Sequence, residues 1–135
     1  MTNKDLADAI FPDITMTVED YKKLYPRRNL RAVTRFAPSP TGYVHLGGIY
    51  QAIIDFLLAK NNDCVFMLRI EDTDQKREVK EAVDLIKEAL EYYGLLPDEY
   101  ELDGKVVGNY GSYTQSKRKE IYHAFIKYLI EIGRA

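Results

Sequence analysis

Two short segments hold the residue types that could do chemistry. The first runs Arg35-Phe36-Ala37-Pro38-Ser39-Pro40-Thr41-Gly42-Tyr43-Val44-His45-Leu46-Gly47-Gly48; the second is Glu71-Asp72-Thr73-Asp74. Adjacent glycines opening a helix suit phosphate. Free N–H groups and the positive end of the helix dipole point outward there, and no Cβ stands in the way. His45 could donate a hydrogen bond to a phosphate oxygen as charge builds on it. The pattern is neither a P-loop nor a dinucleotide fingerprint, and a histidine beside two glycines is more often plain turn chemistry. Arg35 and Glu71 also admit two readings. An arginine fork matches a carboxylate and a carboxylate matches an ammonium group, so the two together could clamp an amino acid. Alternatively they pair with each other across a crevice. Glu71, Asp72 and Asp74 offer hard oxygen ligands for Mg²⁺, and Asp74 could instead cap a following helix.

These segments need elements to position them. Ala32 to Ala37 reads as a strand, and Pro38-Ser39-Pro40-Thr41-Gly42 as a rigid turn. A helix then follows, with Ile49, Ala52, Ile53, Phe56 and Leu57 on one face, stopping at Asn61-Asn62-Asp63. Cys64 to Ile70 is nearly all apolar and predicts a strand buried on both faces. Val79, Ala82, Val83, Ile86, Ala89, Leu90 and Tyr93 form the face of a second helix, which Gly94 ends. Leu95 to about Tyr113 reads as irregular. A third helix spans about Ser116 to Ile132, with Ile121, Phe125, Leu129 and Ile132 inward, His123 at the surface and Gly133 as its stop. Strand–helix alternation predicts an α/β fold with a parallel sheet, incomplete because only two strong strands are visible. Ligands bind at the carboxyl ends of such strands, where both chemical segments fall.

Residues 1–31 differ from the rest and read as an N-terminal leader to a partial Rossmann-like domain at 32–135. Leu6, Ala9 and Ile10 suggest a weak helical face, and Thr17 caps a helix that stops before Pro26. Arg27-Arg28-Asn29-Leu30-Arg31 reads as a basic connector. Among 135 residues, a net charge of −2 gives no overall nucleic-acid signature. Lys117-Arg118-Lys119 is either a solvated helix start or a contact for an RNA end. The single cysteine, Cys64, makes no disulfide and reads as a small core residue. Asp5 and Asp8 argue against a signal peptide, and no apolar run is long enough for a membrane span, so a cytoplasmic protein is expected.

Three motifs carry a family resemblance. Thr34 to Gly48 resembles the signature of glutamyl- and glutaminyl-tRNA synthetases, including their form of the class I "HIGH" element. Leu68-Arg69-Ile70-Glu71-Asp72-Thr73-Asp74 is similar to the family's second hallmark, and Tyr113-Thr114-Gln115-Ser116-Lys117-Arg118 to its third. The resemblance implies that the chain is the N-terminal part of the catalytic domain of a glutamyl-type enzyme, with the first half of its parallel sheet. By position, Arg35, Ala37, Ser39 and Glu71 match residues that hold L-glutamate, Arg35 on its side-chain carboxylate and Glu71 on its amino group. His45, Gly47 and Gly48 fall in the ATP-binding motif, His45 on the phosphates as the catalytic group. Gly48 stands where other class I enzymes have histidine, which favours the glutamyl branch.

The implied reaction joins L-glutamate to tRNA(Glu) through a glutamyl-adenylate, with ATP accompanied by Mg²⁺ and no metal held by the protein itself. The "KMSKS" loop, the second half of the sheet and the anticodon-binding region are expected beyond residue 135. The chain alone is therefore expected to be inactive, and its half-sheet to self-associate. Alternatives are a paralogue making glutaminyl-tRNA or charging a modified base, a non-catalytic ATP- or tRNA-binding module, and, from the residues alone, an Mg²⁺-dependent nucleotidyltransferase using Glu71, Asp72 and Asp74.

Overall fold

The apolar strand β2 (Val65–Leu68) pairs in parallel with β1 (Val33–Phe36), Val33 opposite Val65 and Phe36 opposite Leu68. The computed structural model describes residues 1–29, 32–74 and 81–135. Between the strands runs α3 (Leu46–Asn61), and α4 (Ala82–Tyr92) follows β2. Phe36, Phe66 and Leu68 join Ala52 and Ala59 of α3 and Ile86 and Leu90 of α4 in one core. Burying side chains such as Phe66 and Leu68 contributes roughly 2–3 kcal/mol each. β2 is not buried on both faces as expected. Phe66 and Leu68 are buried while Val65 and Met67 are only half-buried. Side chains alternate along a strand, and both helices contribute to the core on the Phe66 side.

β2 gains further neighbours from the stretch that reads as irregular in the sequence. Asp98 N–H donates to Phe66 O (2.8 Å) and Leu68 N–H to Glu99 O (2.9 Å). Further along, Ile70 N–H donates to Tyr113 O and Gln115 N–H to Ile70 O, both 2.9 Å. Between these two attachments stands an antiparallel hairpin, β3 (Tyr100–Leu102) and β4 (Lys105–Val107). Its turn residues Asp103 and Gly104 both take positive φ, 52° and 72°, the geometry that matches strand twist in a two-residue loop.

Helix ends follow the sequence closely. Gly94 takes φ 67°, with Gly94 N–H on Glu91 O and Leu95 N–H on Leu90 O, a Schellman stop. Gly133 (φ 69°) ends α5 (Lys119–Glu131) in the same way. The helical faces are less well anticipated: Leu57 and Tyr93 are about half exposed. Val79, Leu30 and Arg31 lie outside the described residues.

The chain divides into two units, Asn29–Lys117, described above, and Met1–Arg28 with Arg118–Ala135. In the second, α1 (Asn3–Ile10), α2 (Val18–Leu24) and α5 pack together. Thr2 and Thr17 begin the first two helices with reciprocal capping boxes to Asp5 and Asp20. The contact faces differ from expectation. Ala7 is buried while Leu6 and Ile10 are exposed, and Ala124 is buried while Phe125, Leu129 and Ile132 are exposed. Small residues let helices approach closely, and a polar clamp fixes the rotation of α5. Lys127 Nζ donates to Asp8 (2.7 Å), Phe11 O (3.3 Å) and Ile14 O (3.2 Å). His123 is half-buried, its ring 5.0 Å from that of Phe11, not a free surface residue.

Candidate functional site

The turn after β1 and the start of α3 enclose a cleft of about 470 Å³, lined by Ala37, Ser39, Thr41, Tyr43, His45, Gly47 and Gly48 among others. Thus five of the predicted site residues share one wall. His45 is the N-cap of α3: its backbone is extended, and its Nδ1 accepts a hydrogen bond from Gly48 N–H at 3.3 Å. An accepting Nδ1 places the proton of the neutral ring on Nε2, so the ring keeps a donor for a ligand. Gly47 leaves the ring room in this posture. A Cβ there would stand 3.1 Å from ring atoms Cε1 and Nδ1 of His45. At Gly48 a Cβ would find only ordinary contact with Phe36 and Val44.

Arg35 and Glu71 do not line that cleft; they meet each other beside it. Arg35 Nη1 lies 3.4 Å from Glu71 Oε1, and Arg69 Nη2 lies 2.8 Å from the same oxygen. Glu71 Oε2 has no partner among the described residues. The ion-pair reading is therefore observed, and it leaves Arg35 (side chain 44% exposed) and one carboxylate oxygen able to meet a ligand. Backbone bonds hold the two strand ends together: Arg69 N–H on Phe36 O and Glu71 N–H on Pro38 O, both 3.0 Å.

Sequence reasoning missed several partners. Arg69 is one. Asp72 is another, accepting from Ser116 N–H (2.8 Å) and Ser116 Oγ–H (2.5 Å). Asp72 and Glu71 thus turn to different partners, and among the described residues no group of three acidic, His or Cys side chains could hold a metal ion. Asp55 on α3 is a third. Its Oδ2 is buried without a hydrogen-bond partner, and burial raises its carboxyl above the ordinary value while Arg35 opposes the shift. The sequence signal was an aspartate set in the apolar run Ile53-Ile54-Asp55-Phe56.

Two members of the basic cluster, Lys117 and Arg118, meet internal partners. Lys117 Nζ donates to Glu101, whose side chain is 8% exposed and also accepts from Ser112 Oγ–H and Tyr113 N–H. Burial acts upward on the Glu101 carboxyl, but these donors outweigh it and hold the group below its ordinary range. The Arg118 guanidinium lies 6.0 Å from the Tyr25 ring centroid. Cys64 is half-buried against the core, and its Sγ–H donates to Asn62 O. Among the described residues no helix is long and apolar enough to cross a membrane.

Comparison with known proteins adds a second line of support. Residues 31–135 match the family model "tRNA synthetases class I (E and Q), catalytic domain". The chain is similar over its whole length to the glutamate–tRNA ligases of Acetivibrio thermocellus (50% identical) and Clostridium perfringens strain 13 (43% identical), and spans 26% of each. Among solved structures it resembles a glutamate tRNA ligase from Elizabethkingia meningosepticum in complex with its amino acid, with a TM-score of 0.70 and 44% identity. That match covers 75% of this chain and 20% of the other. The small parallel sheet, the convergence of the motif-bearing strand ends and these similarities agree: the chain belongs to the class I tRNA synthetase family of glutamyl and glutaminyl enzymes.

Proposed function

We propose that this chain supplies the part of a glutamate–tRNA ligase that holds L-glutamate and ATP. The observation that carries the reading is the Arg35–Glu71 pair, with one free carboxylate oxygen, beside a cleft walled by the His45-capped start of α3. Arg35 receives the glutamate side-chain carboxylate, and Glu71 Oε2 its ammonium group. Ala37 and Ser39 line the approach. ATP lies against Gly47 and Gly48, where the backbone is open, with His45 Nε2–H on a phosphate oxygen. The glutamate α-carboxylate then attacks the α-phosphate of ATP, pyrophosphate leaves, and the acyl group passes to the terminal ribose of tRNA(Glu). No side chain acts as nucleophile; positioning and charge stabilisation provide the rate. Mg²⁺ accompanies the phosphates of ATP. We place the reaction in the cytoplasm.

The chain spans about a quarter of the length of the curated relatives it matches, and we assign it binding without efficient turnover. Glutamate-dependent ATP–pyrophosphate exchange, with and without tRNA, tests this on the chain and on a longer version reaching the relatives' length. Exchange by the longer protein alone supports the reading; exchange by neither leaves a binding module. Self-association belongs to the same reading. Leu46, Tyr50, Ile54, Leu57 and Leu58 form an exposed apolar stripe along α3, and β1 pairs with β2 alone among the described strands. A concentration-independent monomer in sedimentation would remove that part.

A further inference from the structure

The third motif contains residue types that attract ligands, yet its described side chains are largely engaged within the protein. Tyr113 is 1% exposed, and its Oη–H donates to Glu99 Oε2 at 2.7 Å. Lys117 is paired with Glu101. Four further bonds of the motif reach one place, the segment Ile70-Glu71-Asp72. Tyr113 O and Gln115 N–H bracket Ile70 through its backbone N–H and O. Two residues on, the Asp72 carboxylate receives both the backbone N–H and the hydroxyl of Ser116, one on each oxygen. Glu71 therefore stands between two neighbours fastened to the same segment, and its own N–H is fixed on Pro38 O.

We propose that the third motif acts as a positioning element for Glu71, with Asp72 and Ser116 as its fastening pair. The inference rests on the reading of Glu71 as the contact for the substrate ammonium group. Its physical content is angular. Both guanidinium contacts fall on Oε1, so where Oε2 points follows from the backbone direction at residue 71 and the side-chain torsions it permits. A carboxylate accepting two donors from one residue resists rotation in a way a single bond does not. If Asp72 is released, Ile70 stays anchored but the chain beyond it can pivot, carrying Glu71 with it. A misplaced contact group costs affinity without any loss of the group itself.

The test is made on this chain, measuring L-glutamate and ATP affinity by NMR titration together with thermal melting. Ser116→Ala and Asp72→Asn are each expected to weaken glutamate binding about tenfold while changing ATP affinity less than twofold. Ser116→Thr, which keeps both donors, restores glutamate binding. In a Glu71→Gln background Ser116→Ala adds little, because it acts through Glu71. Amide exchange gives a ligand-free readout: the Glu71 N–H loses protection in Ser116→Ala, while Leu85 N–H in α4 does not.

The outcomes separate the two claims. Wild-type chain without saturable glutamate binding, or Glu71→Gln with unchanged affinity, removes the reading of Glu71 and the inference with it. Glu71→Gln weakened but Ser116→Ala unaffected overturns the positioning role alone. So does an equal loss of glutamate and ATP affinity in Ser116→Ala, which marks a general structural role.

Discussion

His45 combines two tasks that one substitution can separate. Its Nδ1 caps α3, and its Nε2–H remains for a phosphate. The cap is weak on geometry. The bond is 3.3 Å, and the same Gly48 N–H also donates to the His45 backbone O at 2.9 Å. N-cap removal costs about 0.5–2 kcal/mol in general, and a long, shared bond belongs at the low end, about 0.5 kcal/mol. His45→Ala is therefore expected to lower the melting temperature by about 2–3 °C. His45→Asp restores a strong cap and sets a negative charge at the positive end of the helix, so its stability should equal or exceed wild type by up to about 1 kcal/mol. Yet it lacks the donor. A hydrogen bond to a charged group is worth about 1.5–3 kcal/mol, so ATP affinity should fall about 10- to 150-fold. His45→Asn, neutral and with both a cap acceptor and an NH₂ donor, should keep stability and much of the affinity. Calorimetric ATP titration beside thermal melting reads both quantities. If His45→Asp binds ATP as wild type does, the donor role is wrong; if it melts below His45→Ala, the capping role is wrong.

Gly47→Ala gains helix propensity of about 0.5–1 kcal/mol but forces the His45 ring to shift, so melting should rise or hold while ATP affinity falls; a variant with unchanged ATP affinity would contradict the crowding argument. Glu101 has a depressed carboxyl in the fold, so its stabilisation is present above the ordinary glutamate range and lost as pH falls through its folded value. Glu101→Gln should cost about 1–3 kcal/mol at pH 7 and flatten the acid limb of the melting curve below about pH 4.5; an unchanged limb in melts from pH 7 to 3 counts against this. Lys127→Met removes three hydrogen bonds beneath α1 and should cost about 2 kcal/mol, read by urea denaturation. Because Lys127, and then Lys4, hold Asp8 down to about 2, that clamp should persist in wild type at pH 3.

Local signals were legible in the sequence wherever one residue type answers one backbone demand. Thr17 starts its helix, and Gly94 and Gly133 end theirs, where their chemistry requires. The turn at Pro38–Gly42 and the seating of Gly47, Gly48 and His45 at a helix start were readable for the same reason. The hairpin was missed although Asp103-Gly104 between Tyr100-Glu101-Leu102 and Lys105-Val106-Val107 is a recognised turn signal; three-residue strands are too short for periodicity to show. Helical faces failed where apolar residues outnumber partners. α5 offers Phe125, Leu129 and Ile132, but Ala124 and Lys127 set its rotation. The Asp72–Ser116 and Glu101–Lys117 pairs lay beyond reach because no local pattern records which distant carboxylate meets which donor.

The fastening of Asp72 by Ser116 also has a temporal side. The two residues are 44 positions apart, and synthesis adds about 5–20 residues per second. On an emerging chain, the segment bearing Glu71 waits about 2–9 s for its strap to be made. Through that interval β2 has no neighbour at Ile70 from the Tyr113–Gln115 segment, and its apolar run is open to other chains. Slower translation between these positions would lengthen the exposure, making the yield of folded protein sensitive to codon choice across residues 73–116.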